Sequence, residues 1–215
     1  MIKRAYEPLE THVEPNKVLV IYGSRRVGKT TLLQSYLAQT PLRYKLDSGD
    51  SIRTQQVLSS QDVNQILSYV EGFELLAIDE AQGIPNIGLA LKIIVDQVPG
   101  IRVIATGSSS FEPVGQEGEP LADHKHTFVL YPIAQSELLA TTNRSDLRDR
   151  LGEFMVYGAY PEVIAAPTLA AKMESVSEIV NSYLLKDILT FDRVRNPHTL
   201  VDLLKLLAFQ IGHEV

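Results

Sequence analysis

The chain has 215 residues, of which 45% are hydrophobic and 21% charged, as is typical of one large globular domain or a core domain with a small appendage. It contains no cysteine, which excludes disulfides and thiolate zinc sites and fits a reducing, cytoplasmic compartment. The formal net charge of −6 argues against a surface built to coat nucleic acid. No apolar run approaches the roughly 20 residues that span a membrane, so no membrane partner is expected.

Apolar runs rich in β-branched residues predict strands, and each run is separated from the next by room for a helix. The predicted strands are Val18–Tyr22, Arg43–Asp47, Leu75–Ile78, Arg102–Ala105 and Thr127–Tyr131. Helical patterns between them predict Thr30–Gln39, a helix capped by Ser60 and a helix capped by Asn86. This alternation predicts an α/β fold in which helices cover both faces of a parallel sheet. Ligands of such sheets bind beyond the carboxyl ends of the strands.

The composition changes after the fourth predicted strand. The segment from Phe111 to His126 is rich in Gly, Pro and acidic residues and predicts a surface loop. Beyond Pro132 the pattern is helical, and the predicted helices are Ser136–Thr142, Asp146–Tyr157, Leu169–Leu189 and Thr199–Gln210. We therefore predict a core domain over residues 1–132 and a helical domain over residues 133–215.

The first strand leads directly into a phosphate-binding pattern, G-x-x-x-x-G-K-[ST], with a helix after it. Gly23 and Gly28 allow a turn that points consecutive backbone N–H groups at one phosphate, and the alternative is a plain glycine-rich turn. Lys29 is expected to reach the β- and γ-phosphates, and the Thr30 hydroxyl to ligate Mg²⁺. The predicted nucleotide-binding residues here are Gly23, Ser24, Arg25, Arg26, Val27, Gly28, Lys29, Thr30 and Thr31.

Two further strand ends carry candidate catalytic groups. Asp79 and Glu80 follow the third apolar strand, where Asp79 is predicted to hold Mg²⁺ and Glu80 to orient or deprotonate an attacking water. The fourth strand ends in hydroxyl residues, of which Ser108 is the first choice and Thr106 the second for sensing a γ-phosphate. The alternatives are an exposed acidic turn and hydroxyl groups that bond only to the local backbone. Lys29, Glu80 and Ser108 are thus the predicted catalytic residues.

A wider resemblance covers nearly the whole chain. The segments IYGSRRVGKTTLL, LLAIDEAQ, LKIIVDQ, IRVIATGSSSF, LYPIAQSELL and YGAYPEV follow one another in fixed order. Together they resemble the prokaryotic AAA-type ATPases of the AAA+ superfamily that carry a C-terminal domain of unknown function. The resemblance implies a P-loop three-layer sandwich with sheet order 5-1-4-3-2, a helical lid, and ATP and Mg²⁺ as ligands. It also implies that Pro161 lies near the adenine, and that the chain ends before a winged-helix region.

One departure from the family concerns an arginine. Relatives carry Gly-Arg just before the fifth strand, whereas residues 121–126 here read Leu-Ala-Asp-His-Lys-His. An arginine finger neutralises transition-state charge and is worth several powers of ten in rate, so its absence from this position puts fast hydrolysis in doubt. Lys125 is a weaker substitute because it lacks the guanidinium fork. The other candidates, from the lid or a neighbouring subunit, are Arg144, Arg148, Arg193 and Arg195.

The leading hypothesis is therefore an Mg²⁺-dependent ATPase whose nucleotide state sets the position of the lid and of an effector domain. The alternatives are an ATP-binding switch that hydrolyses slowly or not at all, and a DNA-associated regulatory module. Expected partners are ATP and ADP, with self-association, and with nucleic acid only through a region beyond this chain. A GTPase is disfavoured because no N-K-x-D motif occurs. His124 and His126 are more simply solvated loop residues than metal ligands.

Overall fold

The structure, a computed structural model, describes residues 2–108, 121, 124–181 and 197–210. The chain forms two compact units, Met1–Arg148 and Asp149–Val215. The sequence predicted the change to the helical region at residue 132, but residues 133–148 belong to the first unit. Glu137 explains the difference, because its carboxylate accepts a hydrogen bond from the Ala5 backbone N–H at 2.7 Å and so ties this segment to the start of the chain.

The first unit is built on a parallel sheet of five strands in the order β2-β3-β4-β1-β5. The strands are β1 Val18–Tyr22, β2 Tyr44–Ser48, β3 Leu75–Asp79, β4 Arg102–Gly107 and β5 Lys125–Val129. The order is the one that the family resemblance implied, read from the other edge, so this prediction is confirmed. The fifth strand begins two residues earlier than the sequence predicted.

The register of the sheet brings chemically important strand ends to one edge. Ser48 pairs with Asp79, and Tyr22 pairs with Gly107 across the neighbouring strands. All four residues of Leu75–Ile78 are 0% exposed, although their side chains alternate between the two faces of the sheet. Both faces are therefore covered, as expected for the inner strands of a parallel sheet.

Helices and short 3-10 turns connect the strands of the first unit. The helices are α1 Lys29–Leu37, α2 Ile52–Leu58, α3 Val63–Val70, α4 Ile87–Gln97, α5 Gln135–Leu138 and α6 Arg144–Asp149, the last of which ends one residue inside the second unit. The 3-10 turns are Leu9–His12 and Ala81–Gly83. The sequence analysis missed α2, which Ser51 caps by accepting a hydrogen bond from Thr54 N–H at 3.5 Å.

Two predicted helix caps differ from the structure. Asp62, and not Ser60, caps α3, because its Oδ1 accepts from the N–H groups of Asn64 at 2.9 Å and Gln65 at 3.3 Å. The Ser60 hydroxyl instead donates backwards to the Val57 carbonyl at 2.7 Å. Asn86 does precede α4, but it has φ +54° and makes no side-chain cap.

The second unit is helical where it is described. Its helices are α7 Leu151–Tyr157, α8 Pro161–Ala165, α9 Leu169–Ile179 and α10 Pro197–Phe209. The predicted helix Asp146–Tyr157 is instead divided at Arg150, and residues 182–189 of the predicted helix Leu169–Leu189 lie outside the described residues. The same holds for most of the predicted loop from Phe111 to His126. Within the described ranges, no helix combines the length and apolar character needed to cross a lipid bilayer.

An ion-pair cluster joins α7 to α9. Glu153 accepts from Arg150 at 2.9 Å and also from Lys172, whose side chain is only 8% exposed. The hydrogen bonds from Arg150 and Lys172 lower the pKa of Glu153 to about 2. The carboxylate is therefore charged at neutral pH and holds the two helices together.

Candidate functional site

The phosphate-binding loop turns sharply between β1 and α1. Arg26 has φ +62° and Gly28 has φ +98°, and such left-handed residues turn neighbouring N–H groups towards a common concave side. Gly23 is required for another reason, since a Cβ atom there would lie 2.1 Å from the Leu130 carbonyl oxygen. The loop thus has the backbone shape that binds anions.

Lys29 begins α1, and only 5% of the residue is exposed. Its ammonium donates to the carbonyl oxygens of Gly23 and Ser24, both at 3.0 Å. The cation therefore lies inside the loop, where an anion bound there would meet it.

Asp79 joins the phosphate loop to the middle of the sheet. Its Oδ2 accepts from the Thr30 hydroxyl at 2.8 Å, and its Oδ1 accepts from the Thr106 hydroxyl. Thr106 is fully buried, and its Oγ also accepts from the Glu80 backbone N–H at 3.3 Å. The structure thus brings together the two predicted metal ligands, Thr30 and Asp79. Thr106, the second choice on β4, is the residue that holds the carboxylate.

Gln82 connects Glu80 with the end of β4. Its side-chain N–H₂ group donates to the Glu80 carboxylate, and its side-chain oxygen accepts from the Ser108 backbone N–H at 3.1 Å. The sequence analysis missed this residue. The available signal was a polar side chain two positions after Glu80 in LLAIDEAQ, but a turn residue rarely reveals its partner on another strand.

The turn after β3 is held by a close approach of two backbones. Glu80 has φ +54° and ψ +44°, a left-handed conformation that ordinary residues seldom adopt. A Cβ atom on Gly49 would lie 2.1 Å from the Glu80 carbonyl oxygen, and a Cβ atom on Gly83 would lie 2.6 Å from the Gly49 oxygen. The Gly49 N–H also donates to the Asp79 carbonyl at 2.7 Å. The segment after β2 therefore packs directly on the turn that carries Glu80.

A cleft opens beside the Thr30–Asp79 contact, between α1 and the ends of β2 and β3. Its lining residues are Thr30, Leu33, Gln34, Leu46, Asp47, Ser48 and Asp79. Asp47 contributes a second carboxylate here, but its Oδ2 accepts from the Tyr69 hydroxyl at 2.5 Å. Burial and this hydrogen bond raise the pKa of Tyr69. Asp47 thus serves the packing of β2 on α3, and Asp79 is the carboxylate that contacts the phosphate-binding loop.

The oxygen donors at this edge suit a magnesium ion. Mg²⁺ prefers oxygen ligands, keeps several waters and is held by one or two carboxylates together with substrate phosphates. Thr30 and Asp79 provide a hydroxyl and a carboxylate within 2.8 Å of each other. Among the described residues, no group of three or more His, Cys, Asp or Glu side chains is arranged to hold a metal ion.

A family model described as an AAA domain matches residues 15–139, more than half of the chain. The chain belongs to the AAA domain family. A second model, described as a domain of unknown function (DUF8612), matches residues 148–215, the region interpreted from sequence as the lid. The resemblance to prokaryotic AAA-type ATPases that carry a domain of unknown function is thus confirmed. The family supports an ATPase-type, nucleotide-binding function.

Individual proteins are similar to the chain at low identity. The AAA chain is 23% identical to the uncharacterized protein MJ1544 of Methanocaldococcus jannaschii, over 96% of this chain and 50% of the relative. It therefore spans half the length of that relative. The fold is similar to that of a Signal Transduction ATPase with Numerous Domains (STAND) protein with a tetratricopeptide repeat sensor, PH0952 from Pyrococcus horikoshii. That match has 15% identity and a TM-score of 0.51 and covers 83% of this chain and 32% of the other. AMPPCP-bound DnaA from Aquifex aeolicus matches at 19% identity and a TM-score of 0.45, and the match covers 84% of this chain and 59% of the other.

The remaining predicted residues of the AAA chain lie on other elements, have partners of their own or fall outside the described residues. Pro161 begins α8 in the second unit, so its predicted role beside the adenine stays a prediction. His124 lies 3.5 Å from a carboxylate oxygen of Asp96, and His126 lies 3.3 Å from one of Glu14. Of the arginines considered as fingers, Arg144 and Arg148 lie on α6, whereas Arg193 and Arg195 lie outside the described residues.

Proposed function

We propose that this AAA chain binds ATP together with Mg²⁺ and hydrolyses it to ADP and phosphate. The contact between Thr30 of the phosphate loop and Asp79 of β3, at 2.8 Å, carries the proposal. It joins the loop that would bind phosphate to the carboxylate that would hold the metal. Glu80, the candidate base, is the next residue along the chain.

The phosphate loop and Lys29 supply positive charge to the triphosphate. The backbone N–H groups near Gly28 would bind the phosphate oxygens, and the Lys29 ammonium would exchange the carbonyls of Gly23 and Ser24 for those oxygens. Thr30 and Asp79 would hold Mg²⁺, which, when bound, neutralises charge on the phosphate oxygens and the leaving group.

Glu80 would take a proton from the attacking water. The end of β4 contacts Glu80 through the Thr106 hydroxyl, which accepts from the Glu80 N–H. Gln82 donates to the Glu80 carboxylate and so fixes its direction. The Glu80 backbone is fixed by Thr106, and Gln82 in turn by the Ser108 N–H. Ser108 remains the proposed γ-phosphate sensor, and Thr106 positions Asp79.

Slow hydrolysis is the second candidate, and the start of β5 favours it. This strand begins with Lys125, whereas the family that the chain resembles carries an arginine shortly before its fifth strand. A lysine is a point charge and lacks the bidentate fork of an arginine. A neighbouring copy that supplied an arginine would then raise the rate, so self-association is part of the proposal. In either case, the nucleotide state would be expressed through the helical second unit.

The proposal is tested by phosphate release from Mg²⁺-ATP and by equilibrium ATP binding, each measured for the 215-residue chain. Lys29→Ala should abolish ATP binding, with Lys92→Ala as its control, because Lys92 forms a surface ion pair with Asp96 at 3.0 Å. Glu80→Gln should keep ATP binding and lower turnover by about 10²- to 10⁴-fold, with Glu74→Gln as the surface control. Native turnover in Glu80→Gln contradicts its role as base.

Binding that Lys29→Ala removes, without turnover by the native chain, identifies the slow switch. Failure of the native chain to bind ATP contradicts both candidates.

A further inference from the structure

A buried ion pair lies behind the phosphate-binding loop, and one of its two members, Arg4, precedes the family match, which begins at residue 15. Arg4 is 8% exposed and Glu137 is 9% exposed, and Arg4 Nε lies 3.1 Å from Glu137 Oε1. Removing two charges from water is expensive, so a buried pair is weak evidence for a purely stabilising role. Such pairs are best known for fixing one arrangement of the chain over others.

The remaining nitrogens of Arg4 contact two backbone carbonyls. Nη1 donates to the Val27 oxygen at 2.7 Å, and Nη2 donates to the Tyr131 oxygen at 2.6 Å. Val27 lies in the middle of the phosphate loop, and its side chain is fully buried. One guanidinium therefore joins the start of the chain, the phosphate loop and the segment that follows β5.

Glu137 is itself held from both sides, which fixes the guanidinium in turn. Its Oε1 accepts from the Ala5 N–H at 2.7 Å, and its Oε2 accepts from the Ala134 N–H at 2.7 Å. Burial alone would raise the pKa of Glu137, but the N–H groups of Ala134 and Ala5 and the charge of Arg4 hold it below its usual value. The carboxylate thus stays ionised, and Arg4 keeps its partner.

The bond to Val27 determines the direction of the next amide. In a planar trans peptide the C=O group and the following N–H point in opposite directions. Because the Val27 oxygen is directed at Arg4, the Gly28 N–H is directed away from Arg4. The left-handed conformation of Gly28, with φ +98°, then leads into the first turn of α1.

We propose that Arg4 is a positioning residue for phosphate binding, which orients the Val27–Gly28 peptide so that the Gly28 N–H faces the β-phosphate of a bound nucleotide. This inference rests on the proposed function. It adds to the nucleotide site a segment that lies outside residues 15–139 of the family match. Arg4 acts through the loop backbone and does not contact the nucleotide.

The test measures ADP binding in the presence of Mg²⁺ and, in protein labelled with ¹⁵N only at its 13 glycines, the amide signal of Gly28. Two variants remove the bond to Val27 in different ways. Arg4→Lys keeps a charge opposite Glu137 but lacks the fork that contacts three acceptors at once. Arg4→Met with Glu137→Gln leaves no unpaired charge buried, so this variant should fold if the single change does not.

Both variants should bind ADP about tenfold or more weakly, which is the effect expected from the loss of one charge-assisted hydrogen bond. The Gly28 signal, which ADP shifts in the native chain, should shift less. The signal of Gly100, whose N–H donates to the Asn16 side chain within the first unit at 3.0 Å, should report an unchanged fold. Arg43→Met is the matched control, because the Arg43 side chain is 74% exposed and pairs only loosely with Glu74 at 3.7 Å.

Native ADP affinity and a native Gly28 shift in either folded variant overturn the inference and leave the proposed function intact. A native chain that does not bind ADP contradicts the proposed function, and the inference fails with it. Weaker binding in Arg43→Met of the same size would assign the effect to loss of surface charge and would also overturn the role of Arg4.

Discussion

Replacing Gly49 by alanine tests whether the backbone contact between Gly49 and Glu80 holds the turn after β3 in place. The added methyl group would lie 2.1 Å from the Glu80 carbonyl oxygen and 2.8 Å from its carbonyl carbon, where ordinary contact begins near 3.4 Å. Both neighbours are backbone atoms, so no side chain can rotate away. One segment must move by roughly 1 Å, which also strains the 2.7 Å bond from Gly49 to Asp79.

The size of the effect follows from this displacement. Overpacking of this kind costs about 1–3 kcal/mol of the free energy of unfolding. In a chain of this size, 1 kcal/mol corresponds to about 2–4 °C, so the melting temperature should fall by roughly 2–12 °C. Because Glu80 moves with its carbonyl, turnover should fall by about 10², the cost of a 1 Å misplacement of a catalytic group.

The assay combines thermal unfolding followed by circular dichroism with phosphate release from Mg²⁺-ATP. Gly152→Ala is the matched control, because Gly152 lies in α7 and a Cβ atom there meets nothing within 4 Å. Alanine should stabilise that helix by up to about 1 kcal/mol and leave turnover unchanged. If Gly49→Ala melts and turns over like the native chain, the reasoning is refuted. If it melts lower but keeps native turnover, the link between Gly49 and Glu80 is refuted.

Three further outcomes are expected. Because Asp62 caps α3, Asp62→Ala should lower the free energy of unfolding by about 1 kcal/mol, and Ser60→Ala should lower it by clearly less. Urea titration measures both values. A larger loss in Ser60→Ala would show that Ser60 is the cap, as the sequence predicted. Thr106→Val removes the hydroxyl from which Asp79 accepts a hydrogen bond, and it should lower turnover at saturating Mg²⁺-ATP by about tenfold. Native turnover would show that Asp79 does not need this hydrogen bond. Glu153→Gln should destabilise the chain at pH 7. Because the pKa of Glu153 falls from 4.5 to about 2 on folding, that deficit should shrink as the pH falls through this range in thermal melts, and a constant deficit would contradict an ionic origin.

The sheet was predictable because its signals are local. Val18–Tyr22 is an uninterrupted apolar run rich in β-branched residues and followed by a turn glycine, and it was predicted with the bounds that the structure gives. The third strand was predicted one residue short, because Asp79 is polar yet still pairs with Ser48. The helix Ile52–Leu58 was missed because its apolar positions are sparse, and Ile52 itself is 72% exposed.

The contacts that shape the site were not predictable, because each joins segments that are distant in sequence. Arg4 and Glu137 are separated by 133 positions, and although Glu137 lies in the segment LYPIAQSELL, nothing in that segment identifies Arg4 as its partner. The need for glycine at position 49 depends on the path of the chain after β3. The proposed ligand-binding residues Lys29, Thr30 and Asp79 follow from motifs, whereas the residues that orient them depend on the completed fold.

The position of the Lys29 ammonium has a consequence for which anions the loop selects. The ammonium already donates to the carbonyl oxygens of Gly23 and Ser24. The net binding free energy from Lys29 is therefore only the difference between its hydrogen bonds to the ligand oxygens and those it gives up to the two carbonyls. For a singly charged ester that exchange is nearly neutral, whereas a triphosphate brings several charged oxygens to the same cation. Because the Lys29 ammonium is buried, added salt should weaken this preference only modestly. If the loop binds nucleotide as proposed, it would therefore discriminate by the number of charges on the ligand before any base or sugar is recognised.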